Sequence, residues 1–460
     1  MSGYAAVSYW LDTCADDLTA RPPLDGSIEA DVAILGAGFS GLWTAYYLLQ
    51  HDPTLKIAIV ERDIVGFGAS GRNGAWCTSG FGAGPRLLAK RYSRDVAARV
   101  HDLMIDTVGE VGRVCEMEGI DAHYQRDGEL IVARGRHQLP TLHHIEEEYA
   151  RIGRADHWQR LDAAEAKAKL AVTNAVGALH QTASAVVHPG RLVRGLARAV
   201  ERAGAVIYER TEATGWTPGR RPVLHTARGD VRSDAVVLAG EGYLARLRPT
   251  HRQVLPLYSL IVLTEPLSDA QLAEIGWTHR SVVQSCALTV DYLSRTADGR
   301  ILFGGRGAPY HFGSRIRPEF DMHEATHGRL RAAVREWFPQ LGNVGFSHAW
   351  GGCLGVPRDF MPTMTFDRRS GIATARGYTG EGVAATNLGG RVLAAQICDV
   401  ESELVSLPTV GHESRNWEVE PLRWIATRYL QRASLRIDEQ ATQSGKPPTG
   451  RSLTERLIGH

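Results

Sequence analysis

Gly36-Ala37-Gly38-Phe39-Ser40-Gly41 and Gly66-Phe67-Gly68-Ala69-Ser70-Gly71-Arg72-Asn73-Gly74 are the stretches of this chain best suited to holding phosphates. In the first, Gly36 permits a tight turn, Gly38 lets backbone approach a pyrophosphate, and Gly41 allows close helix–strand packing. A helix opening at this turn offers unpaired N–H groups and its positive dipole end to the anion. Glu61, twenty residues after Gly41, can accept hydrogen bonds from ribose hydroxyls. This is the chemistry of dinucleotide binding. The second turn begins five residues after Glu61, too soon for another strand–helix unit. Its small residues can lie under the rest of a long cofactor, with Ser70, Arg72 and Asn73 reaching phosphates or a flavin. That favours FAD over NAD.

Elements must position these turns. The apolar run Val32-Ala33-Ile34-Leu35 predicts a strand, residues 42–50 a helix, and Ile57-Ala58-Ile59-Val60 a strand ending at Glu61. Helical spacing recurs over residues 86–118, 139–151, 163–170 and 191–203, and residues 129–133 and 205–208 read as strands. Beta-rich sequence covers 255–263 and 281–303, with residues 300–306 as its clearest strand. The order implies an α/β protein with interleaved domains. A Rossmann-like FAD-binding domain takes residues 28–85, 188–244 and 346–400, and an α+β substrate domain takes 86–187 and 245–345. Residues 401–460 form a helical extension. There Leu422, Ile425, Ala426, Tyr429, Ala433 and Ile437 make an apolar stripe expected to dock on the chain itself. Residues 444–450 read as a flexible linker to a last short helix.

The second glycine-rich turn resembles the flavin-facing signature of the D-amino-acid oxidase superfamily, which includes glycine and sarcosine oxidases. Three later segments agree: Asp234-Ala235-Val236-Val237-Leu238-Ala239-Gly240, Trp350-Gly351-Gly352-Cys353-Leu354-Gly355 and Gly377-Tyr378-Thr379-Gly380-Glu381-Gly382-Val383. The motifs come nearest to those of gamma-glutamylputrescine oxidoreductases. The resemblance covers roughly residues 7–400. It implies a glutathione-reductase-like FAD-binding fold with an antiparallel sheet of the second domain roofing the flavin. It also implies cofactor contacts at Phe39, Arg62, Gly68, Ala69, Gly74, Ala213, Gly240, Gly352, Gly380, Gly382 and Val383, beside those named above.

Composition narrows the partners. With 43% apolar and 22% charged residues the 460-residue chain fits a soluble globular protein. A formal charge of +1 supplies no broad basic surface, so nucleic acid is not an expected partner. The six cysteines are scattered without a C-x-x-C pair, which predicts neither a zinc site nor a disulfide framework and points to the cytoplasm. No metal site is expected: His143-His144 reads as part of a solvated helix face. The first thirty-one residues lack the pattern of a signal peptide, and no apolar run approaches the roughly 20 residues of a membrane span.

A flavin accepts hydride with little acid–base help, so neither a catalytic triad nor a metal cluster is required. What the protein must supply is a cavity placing the substrate C–H over the flavin. Tyr258, His348 and Trp350 are candidate cavity walls, and Arg306 is a candidate substrate contact, with Arg358 as a substitute. In glycine oxidases two arginines grip the substrate carboxylate; by the resemblance they would fall at Leu354 and Gly380, and both are missing. A small amine is therefore expected as substrate in place of a plain α-amino acid, with oxygen or another acceptor reoxidising the flavin. Cys353 lies where some sarcosine oxidases attach flavin covalently, but its spacing to Pro357-Arg358-Asp359 differs, so non-covalent FAD is expected. The alternatives are an amino-acid oxidase or dehydrogenase, a flavin monooxygenase, which would need an NADPH site, and a flavin-binding protein without turnover.

Overall fold

The computed structural model describes residues 3–305 and 307–448; Arg306 and the last predicted helix lie outside them. Two large sheets carry the architecture. The first has six strands in the order Thr363–Asp367, Ile372–Arg376, Ala235–Leu238, Val32–Leu35, Ile57–Val60 and Val206–Tyr208. All pair in parallel except the first, which is antiparallel to its neighbour. The central strands are continuous apolar runs because helices cover the sheet: Phe39–His51 and Gly382–Ile397 pack side by side against it, with Pro189–Arg202 alongside. Three separate stretches of chain contribute strands to this sheet: 32–60, 206–238 and 363–376.

The second sheet has eight strands in the order Phe346–Val356, Leu255–Thr264, Ile301–Gly305, Asp291–Arg295, Val282–Ser285, Glu129–Arg134, Ala175–Gln181 and Gln159–Leu161. It is not purely antiparallel: Val282–Ser285 runs parallel to Glu129–Arg134. Residues 346–356 also belong here, paired along the whole length of Leu255–Thr264, although their sequence motif had placed them with the cofactor-binding part. Gly352 lets that strand lie against Arg72 in a loop of the first sheet, and Gly351 lets it lie against the backbone of Asp321.

The C-terminal helix Leu422–Ser444 docks on the chain, but not through its apolar stripe. Leu422, Ile425 and Tyr429 are exposed, while Arg423, Thr427 and Ala441 are buried. Polar contacts hold the helix. The Asp438 carboxylate accepts from Leu288 N at 3.0 Å and Thr289 N at 2.9 Å, and Gln431 bridges Tyr310 N and Ala308 O. Loop amides that need acceptors select the docking face here.

Candidate active site

The first glycine turn has the geometry its residues predict. Gly36 has a φ of +101°, and a Cβ there would stand 2.7 Å from the carbonyl oxygen of Ala239 on the neighbouring strand's end. A Cβ on Gly41 would enter the van der Waals shell of the Gly36 carbonyl oxygen. Gly38 is the N-cap of helix Phe39–His51 and, as a glycine, has no side chain with which to cap it. The helix's positive dipole end thus opens at Gly38, Phe39 and Ser40, which line a cavity. At the tip of Ile57–Val60, the Glu61 carboxylate accepts from Ala37 N at 2.9 Å and Asp63 N at 3.0 Å. Burial pushes its pKa up to about 7 against the pull of those two hydrogen bonds.

The second turn works mainly through its backbone. Ser70 Oγ accepts from Phe39 N at 2.8 Å, tying the two turns together. Asn73 Nδ2 donates to the carbonyls of Ala69 and Ser70, and its Oδ1 accepts from Ala75 N. The Arg72 guanidinium is buried, donating to Phe67 O at 2.7 Å and pairing with Asp321. These side chains close the loop, and Arg72 and Asn73, expected to reach phosphates or a flavin, also line the cavity.

One cavity runs along both turns. It is lined by Gly36, Gly38, Phe39, Ser40, Glu61, Arg62, Gly68, Ala69, Ser70, Arg72, Asn73, Gly74, Ala213, Gly240, Gly352, Gly380, Gly382 and Val383. Gly41 alone among the named cofactor residues stands behind it, in its packing role. At the far end, helix Gly382–Ile397 presents a second N-terminus without a side-chain cap. Glu241, adjacent to Gly240 and unremarked in the sequence, stitches three segments there. Its carboxylate accepts from Gly355 N at 3.1 Å and Gly377 N at 2.7 Å, and burial raises its pKa to about 7.

The cavity walls come from the second sheet and from Trp76, which pairs with Val186 in a separate two-stranded ribbon, and not from the residues anticipated. Trp76, Ser259, Gln284 and Tyr292 line it, with Ser259 Oγ 2.8 Å from the Tyr292 hydroxyl. Tyr258 is buried on the opposite sheet face, its hydroxyl accepting from Arg317 N at 3.3 Å and its ring edge-on to Phe320. His348 lies edge-on to Tyr9, 3.5 Å from Asp12. Trp350 is buried beneath the second turn, donating from Nε1 to Arg72 O at 2.9 Å. None of these three lines the cavity. Arg358 pairs with Glu418 at 3.2 Å, away from it. Leu354 and Gly380 do line it. Among the described residues its only arginines are Arg62, Arg72 and Arg246, of which Arg62 pairs with Asp63 at 2.7 Å and Arg72 with Asp321.

Two helix N-termini opening on one cavity, glycine turns too tight for side chains, and a carboxylate at the tip of the second strand fit FAD as a whole. The family model described as FAD dependent oxidoreductase (DAO) matches residues 31–396. The chain is 31% identical to the probable oxidoreductase OrdL of Rhizobium meliloti, over 86% of this chain and 89% of that one. It is also 31% identical to the gamma-glutamylputrescine oxidoreductase of Escherichia coli, over 81% and 84% respectively. In fold it is similar to the crystal structure of glycine oxidase from Geobacillus kaustophilus, with a TM-score of 0.69 at 22% identity, covering 84% of this chain and 98% of that one. With two glycine turns, a shared cavity and a match across most of its length, the chain belongs to the DAO family of FAD-dependent oxidoreductases.

Proposed function

We propose that this protein oxidises a carbon–nitrogen bond of a small amine, with non-covalent FAD as the hydride acceptor. The observation that carries the reading is that Leu354 and Gly380 line the cavity with no arginine at either position, while the carboxylates of Glu241 and Glu381 stand beside them. Of the lining guanidinium groups, that of Arg72 is already spent on Asp321 and Phe67 O, and that of Arg62 on Asp63. An α-carboxylate placed there would be desolvated without a counter-charge, which costs several kcal/mol by the order of magnitude for buried ions. The similarity to an oxidoreductase of gamma-glutamylputrescine supports the same substrate class.

Bound in this cavity, FAD supplies a two-electron acceptor. The chain's own part is to hold and to enclose. Gly38, Phe39 and Ser40 at the first helix N-terminus would hold the pyrophosphate, Glu61 the ribose, and the helix at Gly382 the flavin end. Trp76 and Tyr292 supply apolar surface that excludes water and favours an uncharged amine, whose nitrogen lone pair is then available as the C–H bond is broken. Loss of hydride from carbon leaves an imine after the nitrogen proton departs, and water then hydrolyses it. Burial pushes the Cys353 thiol up from its ordinary value, which disfavours the thiolate that covalent attachment needs.

Anaerobic addition of an amine panel to the FAD-loaded protein tests the reading. Primary or secondary amines, including those with a distant carboxylate, should bleach the flavin band faster than glycine, sarcosine or D-alanine at equal concentration. Rapid bleaching by glycine or D-alanine, and none by amines, would overturn it. Bleaching by NADPH would indicate a monooxygenase. Admitting air and timing reoxidation distinguishes oxygen from another acceptor.

A further inference from the structure

We infer that Gln284 is the residue that recognises the substrate nitrogen, and that the buried Glu129 acts through it as a positioning residue. The inference rests on the amine reading above and deepens it.

The pairing register builds the arrangement. Glu129 lies opposite Gln181 on one side and opposite Val282 on the other. Gln284, two residues beyond Val282, lies opposite Tyr292. Residues opposite one another share a sheet face, and so do residues two apart on a strand. Gln181, Glu129, Gln284 and Tyr292 therefore form one polar row across a single face, and Gln284 and Tyr292 at its end line the cavity. Tyr292 in turn meets Ser259.

Within this row the hydrogen-bond donors are fixed in sequence. Gln181 Oε1 accepts from Ala183 N and Ser184 N, so its amide cannot turn; its Nε2 donates to Glu129 Oε2 at 2.9 Å. Ser184 Oγ donates to the same oxygen at 3.3 Å. Glu129 Oε1 accepts from Gln284 Nε2 at 2.7 Å. An ionised carboxylate only accepts, so it forces Gln284 to turn its NH2 inward. Oε1 of Gln284, which has no hydrogen-bond partner among the described residues, is left as the group it offers to the cavity. A carbonyl oxygen takes an N–H. Beside a flavin it selects a substrate that carries one: a primary or secondary amine. A second carboxylate, Glu381, lines the same cavity and accepts from Thr78 Oγ1 at 2.6 Å, giving this end of the site a negative character suited to an amine.

The isosteric variant E129Q makes the inference sharp. Its single carbonyl oxygen is claimed by Gln181 and Ser184, whose donors are locked by the loop, so its NH2 faces Gln284. Gln284 must then turn its oxygen inward and present NH2 to the cavity, the wrong polarity for an amine N–H. E129Q and Q284L should therefore damage recognition alike, although only one of them touches the substrate. Once Gln284 is gone, Glu129 has nothing left to position.

The test is anaerobic flavin bleaching of the parent, Q284L, E129Q and the double variant by butylamine, N-methylbutylamine and 4-aminobutanoate. It is run at about pH 8.5, above the value of about 7 to which burial and Glu381 raise Glu129. Expected is a rise of about tenfold or more in the half-saturating amine concentration for each single variant, the scale of a lost hydrogen bond between strong partners. The limiting bleaching rate should change less, the flavin spectrum should be retained, and the double variant should be no worse than Q284L. If the amines bleach the parent and Q284L with equal half-saturation, recognition by Gln284 is wrong while the amine reading stands. If E129Q adds its full effect on top of Q284L, the positioning role of Glu129 is wrong. If none of the probes or the wider amine panel bleaches the parent, the amine reading falls and this inference with it.

Discussion

Replacing Gly36 by alanine tests the cofactor cradle at its tightest point. Two costs follow from the geometry. The φ of +101° lies in territory that alanine avoids, a strain of about 1–3 kcal/mol. The new methyl would stand 2.7 Å from Ala239 O, a backbone atom that cannot swing aside, and overpacking of this kind costs about 1–3 kcal/mol. Reduced freedom of the unfolded chain returns about 0.4–1 kcal/mol. The net expectation is a destabilisation of about 1–6 kcal/mol, read as a lower urea midpoint by circular dichroism, together with loss of FAD read as recovered flavin fluorescence. Gly382→Ala is the control. Its Cβ would meet nothing nearer than 3.8 Å, and its backbone is helical. It should fold as stably as the parent or gain up to about 1 kcal/mol. Parental stability and FAD retention in Gly36→Ala would refute the reasoning, as would a Gly382→Ala protein destabilised as much as Gly36→Ala.

Other consequences can be measured in the same way. Glu61→Ala should weaken FAD binding by about 1.5–3 kcal/mol in a flavin titration, the scale of a hydrogen bond to a charged group. Glu241→Ala leaves the amides of Gly355 and Gly377 without their acceptor and should cost about 2–6 kcal/mol in urea unfolding. Glu61, Glu129 and Glu241 all have folded pKa values raised by burial to about 7. Their stabilising contribution is therefore complete below the unfolded value of about 4.5 and lost as pH rises through 7. Between about pH 6.5 and 8 the FAD-free protein should lose roughly 2 kcal/mol, and E129Q should flatten about a third of that slope. Acid precipitation of the holoprotein should leave FAD in the supernatant; colour retained in the pellet would mean a covalent bond.

What could be read from the residues was the part of the fold that backbone chemistry dictates. Gly36, Gly38 and Gly41 between two apolar runs admit few other arrangements, and the cavity follows them. The walls were misread because strand residues alternate between faces. Ser259 faces the cavity, and its neighbour Tyr258 therefore cannot. Trp350 shares its face with Gly352 but lies farther along, under the loop that ends at Gly74. Gln284 and Glu129 carried no local signal, because their partnership depends on a parallel pairing of strands and joins residues 155 apart in the chain. The stripe on the C-terminal helix was real as a pattern, yet the unpaired amides of residues 288 and 289 decided which side docks.

The sheet order also sets a timetable. The unit from Val32 to Glu61 leaves the ribosome early, but the strand that pairs with Val32–Leu35 on its other side is Ala235–Leu238. At synthesis rates of about 5–20 residues per second that partner arrives roughly 10–35 s later, and Ile372–Arg376, which completes the order, is later still. Throughout that interval the strand Val32–Leu35 presents an open apolar edge to the cell, the kind of edge on which chains aggregate. The nascent chain is therefore the most chaperone-dependent form of this protein, and FAD can be captured whole only after residue 383 has emerged. A chain broken anywhere before Ile372 keeps the edge of Ala235–Leu238 open and should not accumulate.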